Sequence, residues 1–230
     1  MLGYILAVDM SQRGTIDGRT ARRDRNRLAV LDAVLELFAV GDLNPSPEAV
    51  AHRSGLSLRS VYRYVADSDD LIHAAFDRQL DRVRPLLTID AIGQGPFEAR
   101  VEAFAAARLR LHEAVAGTAR AAELKATTSE IVRDRLLARR HLLRAQLERH
   151  FAPEIAALSD CEQPAGQSGP ESGPVAQRPG GAAAAAVAAA DALTQIETIG
   201  WYRGRGGYSQ EQTHAALVIA LRRLLGQSRS

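Results

Sequence analysis

Cysteine occurs once in this chain, at Cys161. A disulfide framework is therefore excluded, and a thiolate zinc site lacks its ligands. Aromatic residues are only 5% of the sequence, with a single tryptophan. β-Branched residues are also scarce beside Ala, Leu and Arg, and that composition favours helix. Long apolar runs are missing too. The longest, GGAAAAAVAAADAL, is interrupted by Asp191 and falls short of the roughly 20 apolar residues a membrane span needs. Lysine is nearly absent: Lys125 is the only one, and arginine supplies the remaining basic residues. The net charge of +2 is small, so bulk charge does not mark a nucleic-acid binder.

What is present is 46% hydrophobic and 24% charged residues over 230 positions. That is enough to bury a core in one large domain or two small ones. The opening MLGYILAVD is apolar, but no basic residue precedes it and Asp9 interrupts it. It does not read as a secretory signal. The expectation is a disordered extension, or a start at Met10. With no export signal and no cysteine pair, the cytoplasm is the expected compartment. Charge is distributed unevenly. Six arginines stand against Asp17 and Asp24 between Arg13 and Arg27. Arg53, Arg59 and Arg63 fall in an acid-free stretch from Ala49 to Ala66. Such islands mark either a surface for an anionic partner or a solvated helix face.

Helical periodicity begins near Asp24, with Leu28, Leu31, Leu35 and Phe38 on one face and Gly41 as the stop. Ser46 caps and Pro47 opens a second helix that ends at Gly55. Ser57 caps a third, with Val61, Tyr62 and Val65 for packing. Asp67 or Ser68 caps a fourth, carrying Ile72, Phe76, Leu80 and Val83 up to Pro85. Further helices are expected over Phe97–Ala116, Thr118–Ala126, Ser129–Phe151 (ended by Pro153), Ala182–Tyr202 and Gln210–Leu225. The Gly- and Pro-rich segment 159–181 reads as a disordered loop. No segment reads as a strand.

The informative stretch is PSPEAVAHRSGLSLRSVYRYV, Pro45–Val65. Two short helices meet at a turn centred on Gly55, a helix-turn-helix pattern. A short helix entering the major groove N-terminus first brings its early side chains to base edges. Arg59 can pair in bidentate fashion with guanine. Ser57 and Ser60 can bond bases or phosphates, and Tyr62 and Tyr64 phosphates. The alternative is an ordinary helical hairpin with exposed Arg and Tyr.

The segment NRLAVLDAVLELFAVGDLNPSPEAVAHRSGLSLRSVYRYVADSDDLIHAAF resembles the N-terminal domain of TetR/AcrR-type transcriptional repressors. The ordered motifs are LELFAVG, EAVAHRSGLS and SLRSVYRYV, followed by an acidic start to the fourth helix. The resemblance covers about fifty residues, roughly a fifth of the chain. It implies an all-α protein: a three-helix DNA-binding domain, then a larger helical domain for effector binding and dimerisation. The divisions expected are a disordered extension (1–20), the DNA-binding domain (21–67) and the regulatory domain (68–230). The DNA-contacting set is Ser46, Arg53, Ser57, Leu58, Arg59, Ser60, Tyr62, Arg63 and Tyr64. Two departures stand out. Tyr64 occupies a place where the family often has His, and Ser68, followed by Asp69 and Asp70, replaces a backbone-contacting Lys.

Outside this motif, His52, His73, His112, His141, His150 and His214 form no HExxH pair. No GxSxG and no glycine-rich phosphate loop is present. No enzyme, metal or cofactor is expected, and RGRGG at Arg203–Gly207 reads as a flexible turn. The expected partners are double-stranded operator DNA, a second copy of the chain and a small, mostly apolar effector. The effector would sit between the later helices, oriented by Arg108, His112, Glu197 or Tyr202. The dimer is expected as a four-helix bundle of the last two helices, with Leu217, Leu221 and Leu224 at the seam. The alternative is that these leucines fill the monomer core. A competing function for the whole chain is a helical protein–protein interaction module, or a regulator without ligand response.

Overall fold

Ser46 and Ser57 cap the two helices of the motif as their sequence requires, and the described chain around them is mostly helical. The computed structural model describes residues 10–64, 68–160 and 181–226. Among these no strand occurs, and the helices run in order. They are α1 (Met10–Ala39), α2 (Pro47–Ser54), α3 (Leu58–Tyr62) and α4 (Ser68–Val83). After a 3₁₀ turn at Arg84–Leu87 come α5 (Phe97–Lys125), α6 (Glu130–His150) and α7 (Ala152–Asp160). Then follow α8 (Ala182–Thr194), α9 (Ile196–Arg203) and α10 (Gln210–Leu225). The chain divides into two compact units, one ending at Asp81 and one beginning at Arg82. That boundary lies in the last turn of α4, not at 67/68. No described helix is long and apolar enough to cross a membrane.

The first unit is built on α1. Val30, Leu31, Val34, Leu35 and Phe38 are buried at the spacing of one helical face. Leu28, expected on that face, is 38% exposed and lies beyond the packed end. Phe38 stacks on Phe76 of α4, with centroids 5.5 Å apart, and Arg78 reaches Asp32 at 3.2 Å. α1 stops at Gly41, which takes φ 92° while Asp42 N–H donates to the Leu37 carbonyl. Its start corrects the expected disordered leader, because the helix already runs from Met10. Residues there carry no apolar stripe, so periodicity could not register them. Residues 1–9, the expected Asp67 cap and Val65 lie outside the described residues, as does most of the loop expected at 159–181; its first two residues end α7.

In the second unit, α5, α6, α8, α9 and α10 surround two adjoining cores. The larger joins Val101, Phe104, Leu109, Leu147, Phe151 and Ile199 to Leu217 and Leu221. Each such side chain contributes roughly 1.5–3 kcal/mol by leaving water. Three expectations are corrected. A break at Gly117 does not form: Val115, Thr118, Ala121 and Ala122 continue one buried face. Packing outweighs the cost of about 1 kcal/mol of a helical glycine. Pro153 does not merely end a helix but sits in the first turn of α7, where its missing N–H costs nothing. The single helix expected over Ala182–Tyr202 is split at Gln195, whose extended backbone (ψ 151°) starts α9. Thr194 contributes to that break by donating its hydroxyl to the Ala190 carbonyl at 2.8 Å.

Leu217 and Leu221 are 1% and 0% exposed, and Leu224 packs against the same core. They fill the monomer, so they are not the seam of a dimer. Facing out on α10 are Ala215 and Ile219, and on α8, which packs against it, Ala185, Ala188 and Ala192.

Buried polar groups tie the second unit together. Arg108, expected beside an effector, is instead a core strut. Its guanidinium donates to Gln146 Oε1 and the Leu143 carbonyl, both at 2.8 Å, and lies 4.4 Å over the Phe104 ring. Burial lowers its pKa to about 10, opposed by the charge of Asp191. His150 accepts from Gly93 N–H at Nδ1 (3.0 Å) and meets the Arg100 carbonyl at Nε2 (3.1 Å). Those partners require the neutral ring with its proton on Nε2. Burial is the main cause holding the His150 pKa below its ordinary value, and the same holds for His112. The unfolded chain therefore takes up protons near pH 6.5 while the folded chain does not. Stability is complete above that pH and falls as the pH drops below it, by at most about 1.4 kcal/mol per pH unit for each histidine. Urea midpoints of the full chain should be lower at pH 5.5 than at pH 7.5. A midpoint unchanged or raised on acidification would contradict this.

Candidate nucleic-acid interface

Each turn of the motif is set by a local hydrogen bond. Ser46, in extended conformation, accepts from Ala49 N–H at 3.2 Å and caps α2, with Pro47 in its first turn. Gly55 closes α2 at φ 68°, a left-handed conformation that a side chain would strain. Two residues later Ser57 caps α3, accepting from Ser60 N–H at 3.2 Å. Val50 and Val61, 1% and 0% exposed, fasten the two helices to the core. This anchoring decides which residues of α3 remain outside. Arg59 and Arg63 are exposed, and Tyr62 is 53% exposed. Leu58, Ser60 and Tyr64 are half-buried.

The nine candidate residues thus fall into two groups. Arg59 and Tyr62 on one short helix, and Arg63 at its C-terminal cap, present free polar ends. The others carry structural duties. Ser46 and Ser57 spend an acceptor on caps, and the Ser57 and Ser60 hydroxyls lie 2.9 Å apart. Tyr64 donates its hydroxyl to the Arg23 carbonyl of α1 at 3.3 Å, which fixes its ring beside the first helix. Arg53 lies 3.7 Å from Glu36 in an exposed ion pair of small energetic weight. Leu58 offers only apolar contact. Of the residues that open α4, Asp70 is exposed.

A second concave site lies within the larger unit, against α5 and α9. It is a cavity of about 890 Å³ whose lining includes His112, Arg120, Glu123, Ile196, Glu197 and Arg203. Of the four polar groups expected around an effector, His112 and Glu197 are here; Arg108 and Tyr202 are not. Sequence reading missed Arg120 and Glu123. It also passed over Arg203–Arg205, the start of the presumed flexible turn, which forms part of the wall. The signal available was the 3–4 spacing of His112, Ala116, Ala119 and Glu123 along α5. No group of His, Cys, Asp and Glu suited to a metal ion is found among the described residues.

No protein-family model matches the sequence, and no curated protein matches it significantly. Solved structures do match. A TetR-family transcriptional regulator from Streptomyces coelicolor superposes with a TM-score of 0.60 at 19% identity, covering 87% of this chain and 80% of that one. A protein described as a transcriptional regulator of Streptomyces coelicolor A3(2) gives 0.54 at 18% identity, over 88% and 99% of the two chains. A transcriptional regulator from Rhodococcus sp. Rha1 gives 0.54 at 18% identity, over 86% and 95%. The chain therefore shares the fold of these solved transcriptional regulators: a helix-turn-helix unit followed by a larger helical unit.

Proposed function

We propose that this protein is a DNA-binding transcriptional regulator of the TetR type, a repressor released from its operator by a small molecule. The observation that carries the reading is the exposed, cap-anchored α3, with Arg59 in its first turn and no acidic residue on it. A rigid helix with a free guanidinium near its N-terminus is suited to bidentate contact with guanine O6 and N7. Tyr62 and Arg63 suit phosphate oxygens, which position the reader without reading sequence. The fold shared with solved regulators supports the same conclusion.

One such unit reads few bases, so the working species is a homodimer on two half-sites about 34–36 Å apart. The outward small residues of α8, with Ala215 and Ile219 of α10, suit close approach of a second copy. The effector reading rests on the cavity of the larger unit, and release of DNA follows only if the ligand prefers the DNA-free state.

The test is selection from random duplex DNA, then binding by the full chain and its variants at fixed salt. Arg59→Ala should cost roughly 1–3 kcal/mol per half-site and relax preference at one base position in each. Tyr62→Phe should weaken binding to all sequences alike. A folded Arg59→Ala protein with unchanged affinity and selectivity would overturn the reading.

A further inference from the structure

We infer that the cavity of the larger unit takes an anionic amphiphile: a molecule with an apolar body and a terminal carboxylate. This deepens the effector reading above and rests on it. Ala116, Ala119, Leu124 and Ile196 give the cavity an apolar wall, and its 890 Å³ falls among sites for drug-sized ligands, roughly 300–1,000 Å³. The charged groups decide the sign of the ligand. Arg120, Arg203 and Arg205 line the cavity. Arg203 uses one nitrogen on the Tyr208 carbonyl, 2.8 Å away. Arg120 and Arg205 make no ion pair among the described residues, and both are exposed at the rim.

The two lining carboxylates are already committed. Glu197 is held by Arg139 and Arg140, and Glu123 lies 3.5 Å from Arg140. Burial, then the hydrogen bond and charge of Glu197, push the Glu123 carboxyl above its ordinary pKa, which weakens its negative charge further. Three arginines and two glutamates thus line the cavity, and because Arg139 and Arg140 engage the glutamates from outside it, the surplus in the lining is positive.

His112 is the second observation. It is 6% exposed, lines the cavity, and its buried Nδ1 has no hydrogen-bond partner. A buried polar atom left unmatched is costly, which leaves the His112 ring with unspent hydrogen-bonding capacity beside the cavity. Burial, then the charge of Arg203, keeps this ring neutral. Gly200 lies against this ring: a Cβ there would meet His112 Nε2 at 3.4 Å, an ordinary contact distance.

The experiment is calorimetric titration of the full chain, without DNA, with decanoate and 2-naphthoate, their amides, and decylamine. The acids should bind at least tenfold more tightly than their amides, and decylamine should bind more weakly still. Arg120→Gln with Arg205→Gln, two exposed positions that leave the core intact, should reduce acid binding at least tenfold and leave amide binding unchanged. Failure of both acids to bind at millimolar concentration overturns the inference. So does equal binding of acid and amide, or tighter binding of the amine. Operator release is measured separately. An acid that binds without releasing DNA upholds the ligand class and refutes control by it. Specific DNA binding by a protein that takes neither acid upholds the reader and refutes this site.

Discussion

Leu217→Glu is expected to unfold the larger unit, whereas Ile219→Glu, two residues along the same helix, should leave it folded and break the proposed dimer. Leu217 is 1% exposed, among Phe104, Leu147, Phe151 and Leu221. A carboxylate there loses its hydration and finds no partner, a penalty of several kcal/mol after relaxation. The total stability of such a domain is only about 5–15 kcal/mol. Even Leu217→Ala should cost about 2–5 kcal/mol through lost transfer energy and the cavity left behind. Ile219 is 51% exposed, so its replacement should change monomer stability by no more than about 0.5 kcal/mol. Circular dichroism reports folding, and light scattering reports mass. A folded, monomeric Leu217→Glu protein would refute the core assignment. Dimers that persist in both Ile219→Glu and Ala188→Glu would place the subunit interface elsewhere.

Arg100→Ala should destabilise the larger unit by about 3–5 kcal/mol, the range for removing one partner of a buried ion pair. Arg100 is 5% exposed. Its guanidinium pairs with both carboxylate oxygens of Glu154, donates to the His150 carbonyl, and donates through Nε to the Gly95 carbonyl at 3.0 Å. One side chain thus joins the entry to α5, the end of α6 and the start of α7. Its removal strands a carboxylate, 13% exposed, and two carbonyls. Arg100→Met combined with Glu154→Leu should recover much of the loss, because neither charge is then left unpaired. Urea unfolding of the single and double variants checks this. A loss below about 1 kcal/mol in Arg100→Ala would show that the pair is open to water.

Ser46, Pro47, Gly55 and Ser57 were sufficient to locate the two short helices and the turn between them. Their effects are local: a hydroxyl reaching an amide three residues on, a proline that needs no N–H, a glycine free to adopt positive φ. Arg59 was legible for the same reason, since its exposure follows from the face that Val61 buries. Interactions within a few residues are written into neighbouring side chains, so the sequence by itself determined the helix-turn-helix and the exposure of Arg59.

Distant packing decided the rest. The stripe Leu217, Leu221 and Leu224 fits a subunit seam and a monomer core equally well on periodicity. Only the presence of α5 and α8 against it selects the core. The helix continues through Gly117 because side chains elsewhere bury its flanks, and it breaks at Gln195 although Ala-rich sequence favours continuation. The cavity is the extreme case. It joins His112 and Arg120 of α5 to Arg203 and Arg205, more than eighty residues later in the chain. No local pattern encodes that meeting. It arises where apolar faces of separate helices are buried together, because that burial is non-directional and specifies neighbours only through the shape of the assembled core.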